Sequence, residues 1–123
     1  MKVLITGNLG YVGPIVSKHL KDKLDAKIIG YDNGYFISST FDSDPSPESG
    51  ILDFQYYKDI RDIKKSHLAD TDAIIHLSAI SNDPIGKKFE DATYQINLEA
   101  SKKIYDLACQ SNIKRFVLSL IHI

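Results

Sequence analysis

The sequence predicts a single α/β domain in which helices cover both faces of a parallel β-sheet. Two observations support this prediction. Short, almost continuous apolar segments alternate along the chain with segments of helical periodicity, which is the pattern of strands buried on both faces. The first apolar segment runs into a glycine-rich loop, and a helical segment follows that loop, as in a βαβ unit. The 123 residues leave room for one such domain.

Five segments are predicted as strands because each is short, rich in apolar residues and bounded by turn-type residues. In chain order they are residues 2–6, 26–31, 52–57, 73–77 and 115–119. Residues 33–50 are rich in Ser, Asp, Pro and Gly and are therefore predicted as a long surface loop.

Three segments are predicted as helices. In the first, Val12, Val16, Leu20 and Leu24 recur every four residues, and Pro14 lies in the first turn, where its missing N–H has no cost. A short helix is predicted over residues 61–69, and a long one ends near residue 112. The buried face of the long helix is formed by Ile96, Ala100, Ile104, Leu107 and Ala108.

The composition argues against several classes of protein. A formal net charge of −1 provides no basic surface for nucleic acid or for an anionic membrane. The sequence has neither an apolar run of membrane-spanning length nor a signal peptide. A single cysteine, Cys109, excludes an internal disulfide. We therefore expect a cytoplasmic protein.

The glycine-rich loop is the main functional motif. Gly7, Gly10 and Gly13 are spaced three and three between a predicted strand and a predicted helix. In a Rossmann-type doubly wound sheet, the first such glycine permits a tight turn, the second lets the backbone approach a pyrophosphate, and the third lets the helix pack closely. The helix N-terminus supplies N–H groups for the phosphates. The alternative is a glycine-rich turn without a ligand.

Asp32 ends the second predicted strand, about 20 residues after the loop. A carboxylate at this position accepts hydrogen bonds from the adenosine ribose of a dinucleotide and repels a 2′-phosphate, which favours NAD over NADP. Alternatively, Asp32 begins a turn with Asn33 and Gly34, a good turn sequence in its own right. Both interpretations can hold at once.

The glycine spacing after Thr6 resembles that of the extended short-chain dehydrogenase/reductase family, and more narrowly that of the NAD-dependent nucleotide-sugar epimerases and dehydratases. Four further stretches agree over nearly the whole chain. They are 31–33 (YDN), 58–62 (KDIRD, with lysine in place of the first glycine of G-D-I-R-D), 76–79 (HLSA, similar to H-L-A-A) and 96–97 (IN).

The resemblance implies roles for residues in these stretches. Asp59 and Ile60 would contact the adenine, and residues 77–79 would line the ribose and nicotinamide side. Asn97 would brace the active site near the fourth strand. Residues 80–84 resemble a loop that faces cofactor and substrate, although an ordinary turn explains them equally well.

Together the motif and the resemblance predict one set of NAD-binding residues. The set is Gly7, Asn8, Leu9, Gly10, Tyr11, Val12, Gly13, Asp32, Asn33, Asp59, Ile60, Leu77, Ser78, Ala79, Ser81 and Asn97.

The family's catalytic residues are not found in the sequence. Family chemistry depends on a Ser or Thr just after the fifth strand and on a later Tyr-x-x-x-Lys, whose tyrosine acts as general acid or base. Ile121 falls near the Ser/Thr position, and no tyrosine is followed four residues on by a lysine. We therefore predict no catalytic residue, an incomplete NAD-binding domain over residues 1–119, and a tail outside the family pattern over residues 120–123. The sheet would be truncated after its fifth strand.

Three functions stay open. The chain is interpreted first as the cofactor-binding half of a nucleotide-sugar epimerase or dehydratase, inactive by itself. The full-length parent would act on a nucleotide sugar and could form a homodimer. The second interpretation is a non-catalytic NAD(H)-binding module, and the third is another oxidoreductase of the extended family. A metal site is not expected, because the four histidines lie far apart without ligand spacing.

Overall fold

A computed structural model of the chain describes residues 1–35, 49–80 and 88–119. The predicted site residue Ser81 and the predicted tail 120–123 lie outside these ranges. The strands are β1 (Lys2–Thr6), β2 (Lys27–Asp32), β3 (Phe54–Tyr57), β4 (Ala73–His76) and β5 (Arg115–Leu118). Helix α1 is Val12–Leu24. Helix α2 (Glu90–Tyr94) continues into a π-helical segment, Gln95–Ala100, and then into α3, Ser101–Gln110.

All five strands are parallel and lie in the order β3-β2-β1-β4-β5. The chain therefore builds outwards from β1 first in one direction and then in the other. Open parallel sheets bind ligands at this reversal, in the crevice beyond the carboxyl ends of the strands. At the end of β1, Thr6 pairs with Tyr31 of β2 and with His76 of β4. The Rossmann-type α/β fold predicted from the sequence is confirmed.

The sheet has a core on each face because alternate side chains of a strand point to opposite faces. Val3 and Ile5 of β1 lie on the α1 side, where Val16 and Leu20 pack against them. Leu4 lies on the other side, in a cluster that contains the buried Ile104 of α3. The inner face predicted for the long helix is thus confirmed. The face predicted for α1 is confirmed only at Val16 and Leu20. Val12 and Leu24, its first and last residues, extend beyond the core and are 52% and 57% exposed.

The predicted helix over residues 61–69 is wrong. Two 3₁₀ turns, Ile60–Asp62 and Lys65–Leu68, occupy this region. Between them Ile63 has an extended backbone (φ −62°, ψ 138°) and is fully buried in the α3-side core. Burial of this side chain against the sheet takes precedence over continuous helical hydrogen bonding.

The third strand is shorter than predicted. It begins at Phe54 because Leu52 leaves the strand path and packs into the α1-side core. Between Leu52 and Phe54, the N–H of Asp53 donates to the carbonyl of Ile28 in β2 at 2.8 Å.

Candidate functional site

The first turn after β1 has a conformation that requires glycine. Gly7 has φ +70°, and its N–H donates to the Tyr31 carbonyl at 2.9 Å. A Cβ on Gly7 would lie 2.7 Å from the backbone nitrogen of Ser78, the residue that follows β4 by two positions. The turn therefore brings the glycine loop against the chain that leaves β4, with no room for a side chain between them.

The end of the loop is equally tight. A Cβ on Gly13 would overlap the backbone of Asn8, so that only glycine lets α1 start so close to the loop. The N-cap residue Tyr11 makes no side-chain capping bond to α1, and no acidic residue lies in the first turn. The positive end of the α1 dipole is thus not balanced by a carboxylate of its own first turn.

Asp32 closes the loop from the end of β2. Its Oδ2 accepts the N–H of Leu9 at 3.1 Å, and its Oδ1 accepts the N–H of Gly34 at 2.9 Å. The carboxylate is partly exposed, and a carboxylate has about four acceptor positions. Asp32 thus begins a turn and still has acceptor capacity for another donor. Asn33 is exposed, and its Oδ1 accepts the Tyr35 N–H at 3.0 Å.

Two loop side chains point inwards instead of towards a ligand. Leu9 is buried, and the buried Asn8 forms a reciprocal amide pair with Gln55 of β3, at 2.6 and 3.2 Å. This pair lies over Gly30 of β2, where a Cβ would overlap both amides. Asn8 and Leu9 therefore offer only their backbone to a bound cofactor. Tyr11 and Val12 are exposed beside them.

Asp59 and Ile60 follow β3 at the same edge of the sheet. Arg61 binds the Asp59 carboxylate through its guanidinium, with Nη2 2.6 Å from Oδ2 and Nε 3.0 Å from Oδ1. Hydrogen bonding from Arg61 is the main cause that lowers the pKa of Asp59. The Ile60 side chain is buried in the α3-side core, so that only its backbone is available for an adenine ring.

The chain leaving β4 is held at two points. The N–H of Leu77 donates to the Thr6 carbonyl at 3.0 Å. Three residues later, the Asn97 amide holds the Ile80 backbone on both sides, since Oδ1 accepts the Ile80 N–H at 2.8 Å and Nδ2 donates to its carbonyl at 2.9 Å. Leu77, Ser78 and Ala79 lie between these points and are partly buried.

The described members of the predicted set thus collect at the carboxyl ends of β1 to β4, with Asn97 reaching them from the π-helical segment. Sequence reasoning missed Gln55, Gly30 and Arg61, which hold this arrangement from outside the set. Gly30 carries a usable signal, because a glycine inside a strand often marks the close approach of another group.

Other chemistries find no support in the parts of the chain that the structure describes. Those parts contain no group of three His, Cys, Asp or Glu side chains placed to hold a metal ion. Cys109 is exposed and unpaired. Within the same ranges, no helix has the length and apolar character that crossing a membrane requires.

Several solved structures are similar to this chain. A UDP-N-acetylglucosamine 4-epimerase from Methanobrevibacter ruminantium M1, in complex with UDP-N-acetylmuramic acid, is 27% identical with a TM-score of 0.78. That match covers 94% of this chain and 36% of the epimerase.

Two further structures share the fold at lower identity. A UDP-glucuronic acid 4-epimerase from Bacillus cereus, in complex with NAD, is 20% identical with a TM-score of 0.71, over 96% of this chain and 39% of that one. An NAD-dependent NDP-hexosamine 5,6-dehydratase involved in tunicamycin biosynthesis is 18% identical with a TM-score of 0.80, over 95% of this chain and 36% of that one.

The chain spans little more than a third of the length of these solved proteins. No curated protein sequence matches it. The sequence profile of the NAD dependent epimerase/dehydratase family matches residues 3–120, almost the whole chain. The chain therefore belongs to the NAD-dependent epimerase/dehydratase family.

Proposed function

We propose that this chain binds NAD through the Gly7–Gly13 loop and forms the cofactor-binding part of a nucleotide-sugar epimerase or dehydratase. One observation carries the proposal. The glycine loop is closed onto Asp32 at the reversal point of a parallel sheet, directly before the N-terminus of α1. This arrangement combines an anion site at a helix N-terminus with a carboxylate that can accept the ribose hydroxyls of a dinucleotide.

The electrostatics of the loop favour the diphosphate of NAD. The start of α1 provides backbone N–H groups and the positive end of the helix dipole, without an acidic side chain in the first turn. Asp32 would accept the ribose hydroxyls through its remaining lone pairs. Its negative charge would repel the additional phosphate of NADP.

The two ends of the cofactor would lie on either side of this loop. Asp59 and the Ile60 backbone would contact the adenine, beyond β3. Leu77, Ser78 and Ala79 would line the ribose and nicotinamide side, beyond β4, with Ser81 and Asn97 near them. The side chain of Arg61 would keep Asp59 ionised and oriented for this contact, as the lowered pKa of Asp59 indicates.

The complete protein would act on a nucleotide sugar, the substrate class named for the similar solved epimerases. Bound NAD supplies hydride transfer to and from the sugar, while this chain orients the cofactor. Because the sequence contains no Tyr-x-x-x-Lys, we propose that the 123-residue chain binds NAD without turning over a sugar. A homodimer and a cytoplasmic location are further proposals for the parent protein.

A non-catalytic NAD(H)-binding module is the second candidate, and the missing Tyr-x-x-x-Lys is the observation that favours it. The gene sequence downstream of the Ser119 codon distinguishes the two candidates. A reading frame that continues past the Ser119 codon into Tyr-x-x-x-Lys supports the enzyme. An uninterrupted native stop after Ile123 supports the binding module.

Calorimetric titration of the chain with NAD⁺ and NADP⁺ tests the proposed cofactor. We expect weak binding of NAD⁺ and still weaker binding of NADP⁺. Gly7→Ala should abolish NAD⁺ binding, because its Cβ forces the loop away from Ser78. Gly50→Ala is the matched control, since Gly50 also has a positive φ (+79°) but open space around it. A folded chain that binds neither dinucleotide, or that prefers NADP⁺, contradicts the proposal.

A further inference from the structure

A line of hydrogen bonds crosses the interior from the end of β1, directly before the glycine loop, to the π-helical segment. It begins at Thr6, whose Oγ1 lies 2.6 Å from Nδ1 of His76. On the other side of the ring, His76 Nε2 lies 2.9 Å from Ser101 Oγ. The Ser101 hydroxyl in turn lies 2.8 Å from the main-chain carbonyl oxygen of Asn97. The imidazole at the centre is 1% exposed.

The last member of this line determines which group donates and which accepts in each of its hydrogen bonds. The Asn97 carbonyl can only accept, so that the Ser101 hydroxyl donates to it and must accept from His76 Nε2–H. Nδ1 of a neutral ring then accepts from the Thr6 hydroxyl. Thr6 Oγ1 remains an acceptor for the Ser78 N–H, at 3.4 Å. In a charged imidazolium both ring nitrogens donate, so that Nδ1 would donate to the Thr6 hydroxyl instead of accepting from it.

Ser101 also contacts the main chain of the π-helical segment twice. Its own N–H donates to the Leu98 carbonyl, and its hydroxyl donates to the main-chain carbonyl of Asn97, four residues before it. The hydroxyl thus connects the main chain of the π-helical segment to the His76 ring. In this segment lies Asn97, whose side chain holds both backbone groups of Ile80.

We propose that His76 is a positioning residue: in its neutral, Nε2-protonated form it orients Ser101, and through Ser101 it fixes the Asn97 amide on Ile80. The chain that follows β4 is then held in one place against the glycine loop, where Gly7 and Ser78 are in close contact. The effect of this positioning on cofactor binding rests on the proposed NAD site. The hydrogen-bond line itself does not.

The first test measures the tautomer of His76 in the unsubstituted chain by ¹⁵N NMR. We expect one protonated and one unprotonated ring nitrogen, with the proton on Nε2, unchanged between about pH 5.5 and 7.5. A proton on Nδ1, or a charged ring in that range, overturns the proposal. No variant is required, so this test does not depend on a substituted chain folding.

The second test follows hydrogen exchange of the Ile80 amide, which reports on the Asn97 contact. Ser101→Ala should speed this exchange by about tenfold relative to the amides of β1. Ser101→Thr, which keeps the hydroxyl, should restore the slow rate. The matched control is Thr93→Ala in α2, because the Thr93 hydroxyl also bonds a carbonyl four residues earlier, at 2.8 Å, without contacting an imidazole. Equal Ile80 rates in Ser101→Ala and Thr93→Ala contradict the proposal.

Titration with NAD⁺ separates the two proposals. If the unsubstituted chain binds NAD⁺, Ser101→Ala should weaken binding several-fold and Thr93→Ala should not. Unchanged affinity together with an unchanged Ile80 rate in Ser101→Ala overturns the positioning role. A chain that binds no NAD⁺ but shows the expected tautomer and Ile80 response overturns the proposed function and supports the positioning of Asn97.

Discussion

The Asp32 carboxylate contributes both to the fold of the glycine loop and to the proposed cofactor site. It accepts the backbone N–H groups of Leu9 and Gly34, and it would also accept the ribose hydroxyls of NAD. Because hydrogen bonds to a charged acceptor contribute about 1.5–3 kcal/mol, we expect Asp32→Asn to weaken NAD⁺ binding about tenfold or more. The preference for NAD⁺ over NADP⁺ should also shrink, since the repelling charge is lost. Both constants are measurable by calorimetry.

A matched carboxylate at the opposite end of β2 provides the control for this prediction. Asp53 accepts the Ile28 N–H at 2.8 Å and pairs with Lys21 at 3.1 Å. Asp53→Asn should therefore lower stability without changing NAD⁺ affinity. If both Asp variants reduce the affinity equally, Asp32 acts only through the fold.

The amide pair over Gly30 gives a second prediction for single residues. A Cβ at position 30 overlaps the buried amides of Asn8 and Gln55, so that Gly30→Ala should lower the free energy of unfolding by about 1–3 kcal/mol, the usual cost of overpacking. In an Asn8→Ala background, the same change should cost at least about 1 kcal/mol less, because one obstructing amide is gone. Urea denaturation of the four chains completes the cycle. Additive effects would show that the overlap is relieved elsewhere.

Residues differ in how far the sequence alone determines their roles. Gly13 was predictable because its steric demand, against the Asn8 backbone, arises within one short loop. The positive φ of Gly7 also belongs to that loop, but its close approach to Ser78 depends on the sheet. The partners of Asn8 and Asp59 were not equally predictable. Gln55 lies 47 positions from Asn8, and only the sheet register brings the two together. Arg61, two positions from Asp59, is close in sequence, but its guanidinium also reaches Gln95 of the π-helical segment.

At the scale of elements, apolar periodicity located β1 to β5 and α1 but failed between β3 and β4. There the helical pattern of residues 61–69 hides two 3₁₀ turns, because Ile63 is buried in an extended conformation. Periodicity also gave no sign of the π-helical segment, since one widened turn barely changes the spacing of the buried face.

The packing of α3 against β4 makes stability depend on pH. Burial lowers the pKa of His76 from 6.5 to about 4. Its described neighbours on β1, α3 and β5 are Thr6, Ser101 and Phe116, none of which is charged at these pH values. The unfolded chain therefore takes up a proton at a higher pH than the folded chain. Stability should be constant above about pH 6.5 and fall by about 3 kcal/mol as the pH drops towards 4.

Other titrating groups must be separated from this effect. Burial also lowers the pKa of His67, so the measurement should be made in a His67→Gln background. The carboxylates of Asp53 and Asp59, whose pKa values are lowered from 3.8, lose their stabilisation only below about pH 5. Their effect is the same with and without His76. Adding His76→Gln should flatten the profile of unfolding free energy between about pH 6.5 and 5 and reduce its slope below that. Parallel profiles with and without His76 would exclude it as the cause.

At the scale of the whole molecule, the described elements cover the two faces of the sheet unequally. Val117 of β5 is paired with Ile75, which packs against the α1-side core, so that both side chains point to that face. Val117 is nevertheless 54% exposed, and Ile15 on α1 is 73% exposed. Within the described ranges, no element covers this side of β5, which is also an edge strand.

An apolar edge strand of this kind promotes association between chains. We therefore expect the 123-residue chain to self-associate with rising concentration, and Val117→Lys to shift it towards monomer, because a charged side chain there opposes both edge pairing and apolar contact. Sedimentation velocity over a hundredfold concentration range measures the shift. Leu24→Lys is the control, since Leu24 is as exposed (57%) but lies at the end of α1. An equal effect of both lysines would attribute the association to net charge, and a monomeric unsubstituted chain at all concentrations would show that the uncovered face of β5 does not drive it.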